Sequence, residues 1–78
     1  MKENDICNVV AEALGLKPGN VSVNDGTETL REWDSLGFLS ILGALENKFG
    51  AQVAAIDDLA SVKSVKEIID IFKKEGII

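Results

Sequence analysis

The stretch from Trp33 to Gly50, WDSLGFLSILGALENKFG, constrains the fold more than any other part of the chain. It is the longest run of apolar residues at helical spacing, and after Ser35 only Glu46 and Lys48 bring charge to it. A surface helix normally keeps one polar face, whereas a helix apolar through most of its circumference is central to a bundle or covered part of the time. Asp34 marks the start, because its carboxylate can accept the unpaired amides of a first turn. Trp33 before that cap and Phe38 five residues on stand at the two ends of a hydrophobic staple. Ser35 is then the first helical residue, its hydroxyl beside backbone N–H groups that no helical carbonyl can reach.

At about 100° per residue, Phe38, Ile41, Leu42, Leu45 and Phe49 gather on one side, the expected core face. Leu36, Ser40, Gly43, Ala44 and Asn47 lie opposite, flanked by Gly37 and Lys48. One exposed leucine means little by itself. An exposed leucine beside a helix-N-terminal serine, on a face of small uncharged residues, predicts a docking surface: Leu36, Gly37, Ser40, Ala44 and Asn47.

The remainder predicts an all-α bundle of three longer helices and one short one, a single domain over residues 1–78. The first helix spans Asn4 to Leu14, capped by Asn4 or Asp5, with Ile6, Val9, Val10 and Ala13 on one stripe and Gly15 as its stop. Cys7, at the edge of that stripe, reads as a small buried apolar residue. From Leu16 to Glu32 the periodicity dissolves into a long ordered loop with turn formers at Pro18-Gly19-Asn20 and Asn24-Asp25-Gly26, pinned by Leu16, Val21, Leu30 and Trp33. Loops of this length are unusual in compact domains and often functional. This one delivers the chain to Asp34-Ser35, while its acidic cluster, Asp25, Glu28, Glu32 and Asp34, reads as a solvated loop. After Gly50 the segment AQVAAI reads as a linker and DDLASV as a short helical turn, with Asp57 and Asp58 at its N-terminus. The last helix opens on a capping box, Ser64-Val65-Lys66-Glu67, and repeats Val65, Ile68, Ile69 and Phe72 down one side until Gly76.

Seventy-eight residues at 46% hydrophobic support a small core and no deep catalytic cleft. The formal charge of −5 opposes a nucleic-acid partner, which needs clustered Lys and Arg. No run reaches membrane-spanning length, the charged start MKEND does not read as a signal peptide, and one cysteine forms no internal disulfide; cytoplasm and a monomer are the expectations. Histidine and tyrosine are absent. A serine nucleophile would lack its usual base, and His-containing metal sites are excluded, so a catalyst is not expected.

The order helix, long loop, Asp34-Ser35-Leu36, helix, Phe49-Gly50, short helix, amphipathic helix resembles the acyl carrier protein family over essentially the whole chain. Its sharpest part is Asp34-Ser35-Leu36, followed at the family's spacing by Ala44-Leu45-Glu46 and Phe49-Gly50. The resemblance implies that Ser35 bears 4′-phosphopantetheine, taken from coenzyme A by a phosphopantetheinyl transferase. It implies further that acyl groups ride on the arm as thioesters between loading and transferring enzymes. Carriers of bacterial fatty acid synthesis tend to display carboxylates along this helix. Here Gly37, Ser40, Asn47 and Lys48 stand at those positions and only Glu46 keeps one, which points to a dedicated lipid, polyketide or polysaccharide pathway. An aminoacyl or peptidyl carrier fits the same residues, and an unmodified helical interaction module is the alternative of another class.

Overall fold

The computed structural model describes residues 3–78; Met1 and Lys2 of the charged opening lie outside it. Three α-helices, α1 (Glu3–Ala13), α2 (Ser35–Phe49) and α3 (Val65–Lys74), pack around one core, with two 3₁₀ turns, Ala51–Ala55 and Asp57–Ser61, between α2 and α3. The described residues contain no strand. The all-α bundle with a long first loop is as expected; the short fourth helix is realised as the two 3₁₀ turns, and the first of these replaces the predicted linker. Each turn leaves one residue inside, Val53 and Leu59, so burial every sixth position holds this stretch down without a full helical stripe.

Neither Asn4 nor Asp5 caps α1, because both lie within the helix. Glu3 and Asp5 instead place carboxylates in the first turn, where the macrodipole favours them. Glu3 also reaches Lys73 of α3 at 2.8 Å, an exposed pair that joins the two helices. The far end of α1 closes as a Schellman motif: Gly15 adopts φ 74°, its amide bonds the Glu12 carbonyl, and the Leu16 amide bonds that of Ala11. The loop therefore leaves in a fixed direction.

The core is built from the predicted stripes. Ile6, Val9, Val10, Ile41, Leu45, Val65, Ile68, Ile69 and Phe72 are buried, with Cys7 among them. Phe38, Leu42 and Phe49 of the expected α2 core face, and Ala13 of α1, are half-buried against the cluster. Phe49 meets Phe72 edge to face, centroids 5.0 Å apart, which fixes the end of α2 on α3. Ser64 caps α3, accepting the Glu67 amide at 3.2 Å. The Glu67 carboxylate returns to the Lys63 amide and the Ser64 hydroxyl, a capping box displaced by one residue from the standard partner. Asp57 and Asp58 lie inside the second 3₁₀ turn and make no side-chain cap; Asp58 stands 3.7 Å from Lys74.

Candidate functional site

Asp34 is an extended residue whose Oδ1 accepts the Gly37 amide at 2.9 Å, while its carbonyl accepts the Phe38 amide at 2.8 Å. The cap leaves Ser35 as the first residue of α2, exposed, with its own amide and that of Leu36 in the turn where helical carbonyls give no partner. Among the described residues no side chain engages the Ser35 hydroxyl. Trp33, only 4% exposed, anchors the residue before the cap, and Phe38 sits half-buried at the other end of the expected staple.

The long loop reaches this point through a chain of bonds. Asp25 Oδ2 accepts the Ser22 amide at 2.8 Å, and Oδ1 accepts the Thr29 hydroxyl at 2.8 Å. These bonds, the Ser22 amide first, hold the Asp25 carboxyl below the usual aspartate range. The carboxylate knots the loop while remaining at the surface, so it has a structural role within the solvated acidic loop that the sequence reading does not assign to it. Backbone bonds from Thr27 to Lys63, at 2.9 Å, and from Val65 to Asp25, at 3.0 Å, tie the knot to the start of α3 around a lone antiparallel bridge, Gly26–Ser64. The Leu30 amide then bonds Gly26 and the Trp33 amide bonds Leu30, bringing the chain round to the cap.

Gly37 does not belong to the docking face predicted for it. It is buried: a Cβ there would overlap the Glu32 carbonyl oxygen and come 2.9 Å from Leu14 Cδ2. A glycine on a helical wheel counts as a small surface residue, and the wheel cannot register backbone closing over it. Ala44 is half-buried against the core, so it forms the margin of the face. Leu36, Ser40 and Asn47 are exposed as expected.

Leu39 lies outside the face expected from sequence, yet it is 63% exposed beside Leu36 at 76%. The signal was present: three residues at helical spacing put it roughly 60° from Leu36, on the same side. The face therefore carries two neighbouring leucines, and no charge lies between Asp34 and Glu46. On another side of α2, a cleft of about 250 Å³ opens toward the 3₁₀ turns, lined by Leu42, Val53, Ala54, Ile56, Leu59 and Ala60 together with the carboxylate-bearing Glu46 and Asp57.

Cys7 lies apart from this arrangement, buried, with burial first and the Glu3 and Asp25 charges next pushing its thiol pKa up. It is an inert core residue. Among the described residues, no three His, Cys, Asp or Glu side chains gather at metal-binding distance, and no helix is long and apolar enough to cross a membrane.

Compared with known proteins, residues 4–72 match the family model described as phosphopantetheine attachment site. The chain matches none of the curated proteins and none of the solved structures with which it was compared.

Proposed function

Since the chain belongs to the phosphopantetheine attachment-site family, whose members carry a 4′-phosphopantetheine group, we propose that Ser35 is the attachment residue of a non-enzymatic acyl carrier. The observation that carries this reading is the exposed hydroxyl at the N-terminus of a capped helix. A phosphodiester there would stand at the positive end of the α2 macrodipole, with the amides of Ser35 and Leu36 in the same turn. The residues fit such a group: nothing covers Ser35, and Asp34 is occupied by the Gly37 amide and turned into the helix. Ser35 needs no base of its own. In the transfer from coenzyme A, its Oγ bonds to the phosphorus bearing pantetheine, the pyrophosphate bond breaks, adenosine 3′,5′-bisphosphate leaves, and the proton passes to the transferase. When bound, the group supplies a terminal thiol that holds cargo as a thioester.

Leu36 and Leu39 give loading and transferring enzymes an apolar contact beside Ser35, with Ser40 and Asn47 as uncharged polar neighbours. A strongly basic enzyme surface would lose hydration against this face and gain little charge pairing. The partners are therefore enzymes of a dedicated pathway, encountered in a reducing cytoplasm by a monomeric carrier. The apolar cleft beside α2 favours an acyl cargo over an aminoacyl one, because an alkyl chain can bury there and an amino acid has little to bury. Loading with a medium acyl chain should then raise the melting temperature, while an aminoacyl load should leave it in place.

The deciding measurement is intact mass after incubation with coenzyme A and a broad-specificity phosphopantetheinyl transferase. One added phosphopantetheinyl group on the wild type and none on Ser35→Ala is the expected result. A folded wild type that gains nothing would refute the attachment and leave α2 as the face of an unmodified interaction module.

A further inference from the structure

Two buried glycines mark the two places where the long loop closes on the rest of the molecule. At Gly26 a Cβ would overlap the Lys63 carbonyl and stand 2.9 Å from Ser64 Cα; at Gly37 it would overlap the Glu32 carbonyl. Neither has positive φ, so each is required for space rather than for backbone conformation. At both, the α-hydrogen that a side chain would replace faces a carbonyl oxygen, a weak attractive contact that also sets how closely two backbone segments approach.

The segment between them is continuously tied. Asp25 accepts from Ser22 and Thr29, Leu30 bonds Gly26, Trp33 bonds Leu30, and Trp33 itself is buried. The Glu32 carbonyl is thus held by the turn that contains it and pressed on the third residue of α2. Its neighbour Asp34 caps the same residue's amide. Gly37 is gripped from two sides, by Glu32 through its Cα and by Asp34 through its N–H, and Ser35 lies in the turn these contacts close.

We propose that Gly37 is a positioning residue for Ser35: the Glu32 carbonyl seated on it makes the loop a strut that holds the serine in one orientation. The proposal rests on Ser35 being the attachment residue. A reacting hydroxyl displaced by about 1 Å can lose roughly 100-fold in rate, so the strut belongs to reactivity as well as to folding. Leu36 remains on the exposed side, and initial docking of the transferase should change little.

The test is steady-state phosphopantetheinylation of the full chain, followed by intact mass, at a temperature where circular dichroism shows every variant folded. Gly37→Ala should lower kcat tenfold or more with KM within twofold of wild type. Ile68→Val, a small core truncation away from the loop, controls for lost stability and should keep wild-type kinetics. A second pair covers the case in which Gly37→Ala does not fold. Glu32→Ala and Glu32→Gly remove the same exposed charge, but only glycine loosens the backbone that carries the carbonyl. Glu32→Gly should be several-fold lower in kcat than Glu32→Ala. Wild-type kinetics for Gly37→Ala, a matching loss in Ile68→Val, or equal rates for the Glu32 pair would overturn the strut. A wild type that is not modified at all would instead remove Ser35 as the attachment residue, and the strut's role with it.

Discussion

Gly37 and Gly43 lie six residues apart on α2, and their surroundings are opposite. An added Cβ at Gly37 collides with the Glu32 carbonyl, whereas at Gly43 it would meet nothing within 4 Å. Helix propensity alone favours alanine over glycine by about 1 kcal/mol at an interior position, and Gly43 offers no packing reason to oppose it. Gly43→Ala should therefore raise the melting temperature by about 4–8 °C for a domain of this size. Gly37→Ala should lower it, since forcing a group into occupied backbone space costs about 1–3 kcal/mol, more than the propensity gain. Thermal unfolding followed at 222 nm separates the two. Equal shifts would mean that the first turn of α2 relaxes freely, and the close contact with Glu32 would carry no weight. Asp34→Ala belongs to the same scale: loss of the cap on Gly37 should cost about 1 kcal/mol in the same unfolding experiment.

At the scale of elements, α2 was the most legible part of the chain. Asp34, Trp33 and the i, i+3, i+4, i+7 spacing of Phe38, Ile41, Leu42 and Leu45 act through local geometry, so cap, start and core face follow from sequence positions alone. Gly37 was not legible as a packing residue, because the backbone over it arrives from a loop whose path depends on bonds to α3. The two 3₁₀ turns were obscure for a related reason. Burying only Val53 and Leu59 leaves no repeating stripe, and Ala51–Ala55 contains residues that suit a linker equally well. Asp25 showed only as one carboxylate among several, since its partners Ser22 and Thr29 find it through the fold of the loop. The exposed leucines yield a prediction at this scale. Leu39→Ser removes a side chain that is already 63% exposed, so stability should stay within about 0.5 kcal/mol. On the proposed docking role of this face, binding to a partner enzyme should weaken mainly through dissociation rate, as expected when an apolar contact is lost. Adding charge should act on the other rate: Ser40→Glu with Asn47→Glu should speed association with a basic fatty-acid ketosynthase, most visibly at low salt. Stopped-flow binding at two ionic strengths measures both effects.

At the scale of the whole molecule, the loop and α3 are coupled through Asp25. Its side chain gathers Ser22 and Thr29, and its carbonyl accepts the Val65 amide at 3.0 Å, so the loop knot and the start of α3 form together. Its carboxyl pKa is lowered in the folded chain, the Ser22 amide bond being the largest cause and the Thr29 hydroxyl next. With the folded pKa below the unfolded one, the unfolded chain binds the proton more readily, and stability rises with pH across that window. The contribution is complete above the unfolded value, about 4, and is lost as pH falls through the folded value. General acidification moves stability as well, because the chain starts with thirteen acidic residues and a net charge of −5, so the wild-type curve alone does not isolate one carboxylate. Asp25→Asn does. Its amide keeps one acceptor oxygen and turns an NH₂ toward a second donor, so the variant should unfold at lower urea than wild type at pH 7. The gap should close as pH falls below about 4, where the wild-type carboxyl also takes up its proton. Urea midpoints at pH 7, 5, 4 and 3 trace it. A gap that stays constant to pH 3 would mean that Asp25 holds the loop by shape rather than by charge, and the coupling between loop and α3 would then rest on the backbone bonds alone.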